Sequence, residues 1–154
     1  MYPVHKRILA CCFIATGLIS FWLNIPFEKI ASDSITIVSI AIAIYMTAIT
    51  LLIGSKIVES MGKADDIIKT KTKLGVLTVY LKSAVWTGII SIIDCCFLKM
   101  YADEYYHGID DVTQVFQIVY RIAASFGMAL FVITLIFMIL ILYFISASIL
   151  KQIR

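Results

Sequence analysis

Four apolar stretches divide this chain, each close to or above the roughly 20 residues that a helix needs to cross a ~30 Å hydrocarbon core. They lie at about 8–24, 34–54, 77–98 and 122–150. Of the 154 residues, 62% are hydrophobic and 15% charged, and the mean hydropathy is +1.00, which excludes a water-soluble domain of this size. The connections at 55–76 and 99–121 fall below the ~40 residues at which a small domain forms its own core. The expected fold is therefore all-α: one polytopic domain over 1–154 with four transmembrane helices, assembling into an oligomeric bundle.

Charge sets the expected orientation, because Lys and Arg collect in short cytoplasmic loops. Lys6, Arg7, Lys56, Lys63, Lys69, Lys71, Lys73, Lys151 and Arg154 share one side, against Lys29, Lys99 and Arg121 on the other. Both termini are thus expected in the cytoplasm. Trp22, Tyr101, Tyr105 and Tyr106 then fall at the outer interface, as an aromatic belt requires. The basic start of the first span also fits a secretory signal, but Ser20-Phe21-Trp22-Leu23 offers no small-x-small cleavage site, so an uncleaved anchor ended by Pro26 is expected. Ser32, Asp33 and Ser34 are candidate caps for the second span.

Membrane helices pack through small and polar residues, so alignment of these at helical spacing is informative. In the second span Thr36, Ser39, Ala43, Thr47, Thr50 and Gly54 form such a stripe. In the third, Tyr80, Ser83, Thr87, Ser91 and Asp94 form another, with Ala84 and Gly88 alongside. Each stripe is either a helix-packing surface or the lining of a water-filled path through an oligomer, one small protomer being too slight to enclose a pore. Asp94 is an ionisable group within a span, either paired with Arg121 or Lys99 at the interface or facing a pore. A pore reading predicts that Asp94→Asn alters ion selectivity.

The connections carry their own patterns. At the outer side Ile109, Val112, Phe116, Val119 and Ala123 make one helical stripe and Asp110, Gln114, Gln117 and Arg121 a second, so the fourth helix is expected to start near Asp110. That polar stripe is a candidate vestibule for cations, and its acidic start equally suits the helix dipole. On the cytoplasmic side Lys69, Lys71 and Lys73 are placed to contact anionic headgroups or a docking protein.

Catalytic chemistry finds little support. His5 and His107 are expected on opposite sides of the membrane and cannot share a metal or haem. Cys11-Cys12 and Cys95-Cys96 are adjacent pairs that lack the C-x-x-C spacing of redox or zinc sites, and adjacent cysteines bridge only under strain. No Gly-rich phosphate loop and no paired buried carboxylates appear. The first span lacks the deep acid of a small multidrug-type transporter, and no internal repeat is evident. A non-enzyme without cofactor or metal, and without direct nucleic-acid contact, is expected.

The run Thr50-Leu51-Leu52-Ile53-Gly54-Ser55-Lys56 resembles the corresponding stretch of the RexB family of lambdoid phage-exclusion membrane proteins. The layout is similar too: four spans, a basic loop after the second, and a long fourth span with a polar tail. The resemblance implies a bacterial inner-membrane ion channel that depolarises the cell during phage infection, triggered by a cytoplasmic DNA-sensing partner. The longer acidic outer connection and the in-span Asp94 depart from that pattern. Three readings follow: an oligomeric channel or membrane-perturbing phage-defence effector, a non-catalytic anchor or regulatory subunit for a cytoplasmic partner, and a holin-like lysis protein.

Overall fold

The structure, a computed structural model, describes residues 1–53, 72–107 and 114–153; for 51–53, 103–107, 114 and 148–153 it describes the backbone only. Among these, four long helices follow in order: α1 (Pro3–Leu23), α2 (Ala31–Ile53), α3 (Lys73–His107) and α4 (Gln114–Ile153). Each contains a segment long and apolar enough to cross a membrane. In lipid every backbone N–H and C=O must be satisfied within its own segment, which is why apolar stretches of this length become helices. The chain is a multi-pass all-α membrane protein. Four crossings return it to the side on which it began, so the bundle has a termini face and, where α1 turns into α2, a hairpin face.

The helix ends differ from the sequence expectations in instructive ways. α1 begins at Pro3, five residues before the apolar run at Ile8, because proline suits a first helical turn whose N–H groups are unsatisfied anyway. It ends at Asn24 and not at Pro26: Asn24 takes the left-handed conformation (φ 48°, ψ 50°) and returns its N–H to the Ser20 carbonyl. Pro26 instead leads into a single 3-10 turn, Phe27–Lys29. α2 starts at Ala31, with the Ile30 carbonyl accepting the Ser34 N–H at 2.9 Å, so Ser32, Asp33 and Ser34 lie inside the first turn and do not cap it. The outer connection is no separate helix where it is described. α3 simply continues to His107 and α4 is already helical at Gln114; the expected start at Asp110 lies outside the described residues.

α4 organises the packing. It runs alongside α1 on one flank and α3 on another, while α2 lies chiefly against α3 and meets α4 more briefly; among the described residues α1 makes no close backbone approach to α2 or α3. α1 is consequently the peripheral helix, with only Leu9 and Ser20 fully buried. Towards the termini face the core joins Ala41 and Tyr45 of α2, Leu77, Tyr80 and Ala84 of α3 and Ile133, Phe137 and Ile141 of α4. Towards the hairpin face a second core forms around Phe27, whose ring is completely buried among Ala31, Cys95, Leu98, Tyr120 and Ala124.

Three glycines allow the helices to approach at graded distances. A Cβ on Gly17 would meet only Ala129 Cβ at 3.9 Å, an ordinary contact. On Gly88 it would press on Val38 and Ile42 of α2 at 3.1–3.3 Å. On Gly127 it would overlap Asp94 Oδ2 and the Phe27 ring, the latter at 2.7 Å. Phe27 and Asp94 thus occupy the space that a side chain at 127 would need. Gly127→Ala is expected to destabilise the bundle by about 1–3 kcal/mol, the usual cost of overpacking, whereas Gly17→Ala should be nearly neutral. Helical circular dichroism during unfolding in mixed dodecyl sulfate micelles distinguishes them, and equal midpoints for the two variants would refute the assignment.

Candidate functional site: two polar faces and a buried carboxylate

The two hydroxyl stripes point in different directions. On α2 the buried positions are Ala31, Ser34, Val38, Ala41 and Tyr45, and the expected stripe Thr36, Ser39, Ala43, Thr47, Thr50 is exposed along its length. Exposure here means turned away from the chain's own packing, towards lipid or another molecule. Three of these hydroxyls are satisfied locally by donating to the carbonyl four residues back: Thr36 to Ser32 at 3.1 Å, Thr47 to Ala43 at 2.9 Å and Thr50 to Met46 at 3.0 Å. Such back-bonding lets threonine face hydrocarbon without an orphaned donor.

The α3 stripe is turned inward. Tyr80, Ala84, Gly88 and Ser91 are buried, Ser83 and Thr87 half-buried, and Thr87 donates to the Ser83 carbonyl at 2.9 Å. Its neighbours are packed side chains: Gly88 receives Val38 and Ile42, and Tyr80 Oη lies 2.7 Å from His5 Nδ1 and accepts the Tyr2 N–H at 3.1 Å. This stripe packs within the chain, whereas the α2 stripe is turned away from the chain's own core.

Asp94 departs from the expected ion pair. Lys99 instead donates from Nζ to Ser32 Oγ at 2.6 Å, and Arg121 donates from Nη2 to the Phe21 carbonyl at 3.1 Å while stacking 5.0 Å over the Phe21 ring. Asp94 Oδ2 is buried against Gly127 and Phe27 with no hydrogen-bond partner among the described residues. Asp94 is half-buried as a residue, with its Oδ2 turned towards Gly127 of α4.

Of the remaining candidates, Gln117 is exposed and Arg121 half-buried on α4; Gln114 has a described backbone only, and Asp110 lies outside the described residues. Lys73 opens α3 and is half-buried, whereas Lys69 and Lys71 lie outside the described residues. No three of His, Cys, Asp and Glu converge to hold a metal ion among the described residues. Sequence reasoning missed Gly127, Phe27 and Ser20. Gly127 had a readable signal, standing four residues after Ala123 in a small-xxx-small arrangement. Tyr45, which donates to the buried Thr134 carbonyl at 3.3 Å, had none.

No family model, curated protein or solved structure matches the chain. The cysteines provide a direct check on the helix faces: Cys95 is completely buried, while adjacent Cys96 and, on α1, Cys11 are exposed. A lipid-soluble maleimide should label Cys11 and Cys96 rapidly and Cys95 at least ~10-fold more slowly, since burial blocks access. Mass spectrometry of single-cysteine variants reads this, and comparable labelling of Cys95 and Cys96 would contradict the packing.

Proposed function

We propose that copies of this chain assemble in a bacterial inner membrane through the outward hydroxyl face of α2, and that the assembly conducts ions and depolarises the membrane as a phage-defence effector. The observation that carries this reading is the direction of that face. Thr36, Ser39, Ala43, Thr47 and Thr50 span the depth of α2 yet contribute nothing to the protomer's own core. Polar positions at membrane depth mark helix contacts or permeation routes, and those within α3 are already used for packing. A path between copies is the geometry that remains. The similarity to the RexB family in Thr50–Lys56 and in span layout adds a trigger, a cytoplasmic sensor docking on the basic segment that contains Lys69, Lys71 and Lys73.

A second reading is favoured by a specific observation. The hydroxyls of Thr36, Thr47 and Thr50 are satisfied by their own helix, so the same face also suits a dry contact in a non-conducting anchor or regulatory subunit. Ser39 separates the readings. Among the described residues it is the stripe hydroxyl without such a bond, and a water-filled path would use it.

Reconstitution into vesicles carrying a potential-sensitive dye and a trapped marker protein tests the proposal. The channel predicts ion-selective loss of potential with the marker retained, and Ser39→Leu together with Thr47→Leu should reduce the flux about tenfold or more by narrowing and drying the path. Asp94→Asn should leave the reversal potential unchanged, because Asp94 is turned into the bundle. Intact potential with a cross-linkable α2 contact would support the subunit instead, and abrupt release of the marker would indicate holin-like lesions.

A further inference from the structure

α2 and α3 approach closely at Gly88, where a Cβ would meet Val38 and Ile42 at 3.1–3.3 Å. From there towards the termini face they leave a groove of about 430 Å³, with Ile49 of α2 on one side and Leu74, Leu81, Lys82, Val85 and Trp86 of α3 on the other. Most of this lining is apolar, as in ligand grooves generally. Lys82 is the charged exception. It is exposed, and it makes no hydrogen bond or ion pair with any described residue. An ammonium inside an apolar span calls for a counter-charge.

The dimensions of the groove identify the shape of its occupant. Leu74 and Trp86 stand ~18 Å apart along α3, close to the ~15 Å depth of hydrocarbon in one leaflet. A neighbouring helix would run through both leaflets, whereas the Gly88 contact shuts this groove near mid-span. Spread over that length, about 430 Å³ leaves a cross-section of roughly 24 Å², less than a third of that of a helix ~10–12 Å across. A single acyl chain is thin enough and ends with its leaflet. Charge identifies the headgroup. Among the described residues every Asp and Glu, from Glu28 and Asp33 to Asp94, Asp103 and Glu104, belongs to the hairpin half. The described helices of a second copy oriented alike therefore bring no acid to the depth of Lys82. Lysine stems bend towards their own interface, which carries the Lys82 ammonium to lipid phosphates at the termini face.

We propose that this groove holds one acyl chain of an anionic phospholipid from the termini-face leaflet, with Lys82 bound to the headgroup phosphate. The site is independent of whether copies of the chain conduct ions. Its lipid completes the packing between α2 and α3 within one chain, where the two helices part.

Trp86, 58% exposed, reports on the groove directly. The chain has two tryptophans, so Trp22→Phe leaves Trp86 as the sole fluorophore of its kind. The full chain carrying that change is placed in vesicles of phosphatidylcholine brominated on its acyl chains, which quenches Trp86. Unbrominated phosphatidylglycerol of the same chain length should relieve the quenching with about fivefold preference over unbrominated phosphatidylcholine, the ~1 kcal/mol that one lysine contributes towards anionic lipid. Adding Lys82→Met, which keeps an apolar stem, should bring that ratio to about one, and Lys82→Arg should retain it. Val85→Phe, which fills the groove, should remove the preference with Lys82 still in place. Circular dichroism confirms that each variant is folded. Equal relief by the two lipids before any change at Lys82, or an undiminished preference in folded Lys82→Met, overturns the proposal. Trp86 left unquenched by brominated lipid also overturns it, assigning the groove to a protein contact.

Discussion

The absence of water in the hydrocarbon core governs this structure more than any single contact, because each polar group there must find its partner within the chain. Backbone groups solve the problem by forming helices. Side chains solve it in two ways. Threonines on exposed faces bond back to their own helix, while tyrosines reach across to neighbouring backbones: Tyr45 of α2 to the Thr134 carbonyl, and Tyr120 of α4 to the Leu98 carbonyl at 3.1 Å. In lipid such bonds are worth ~0.6–2 kcal/mol each, and here they tie α2, α3 and α4 into one unit. Among the described residues the buried polar atoms that escape both solutions are Ser20 Oγ, Ser34 Oγ, Ser91 Oγ, Asp94 Oδ2 and Arg121 Nε. All five belong to the half of the bundle nearer the hairpin face.

That asymmetry matches how the two halves are built. Towards the termini face large aliphatic and aromatic side chains from α2, α3 and α4 interlock directly. Towards the hairpin face the short α1–α2 connection inserts Phe27, and α4 answers with Gly127, whose missing side chain admits both the ring and the Asp94 carboxyl. One half is closed by ordinary packing, the other by a wedge. The wedge brings polar side chains to the ends of α1, α2 and α4 without supplying each with a partner.

The spans were legible in the sequence because lipid imposes length and composition on them directly. Helix faces were not, for a physical reason: lipid tails are as apolar as a protein interior, so hydrophobic periodicity cannot separate inside from outside. The sequence left the α2 stripe as either a helix-packing surface or the lining of a path through an oligomer, and within the chain it is Val38, Ala41 and Tyr45 that pack inward. The α3 stripe did face inward, since its small residues, Ala84 and Gly88, permit close approach. At helix ends, Asn24 took the left-handed position two residues before the proline that composition suggested as the stop. Asp94 was legible as unusual, but its niche is built by α3, Gly127 of α4 and Phe27 of the α1–α2 connection, beyond the reach of local pattern.

The filled interior also determines where activity can reside. Tyr45 and Leu77 fill one core and Phe27, Leu98 and Tyr120 the other, and on α3 Ser91 is buried between packed helices while Ser83 and Thr87 are half-buried. Under the channel proposed above, transport would run between copies, and the α2 face would offer hydroxyls to that contact. Three of its four hydroxyl residues are satisfied without help, which lets the face meet lipid or protein without orphaning those donors. A stripe fully satisfied by its own helix would be indifferent to water. Ser39, exposed on the same face, makes no such bond to its own helix among the described residues, so under the proposed assembly its surroundings would decide whether a contact between copies is wet or dry.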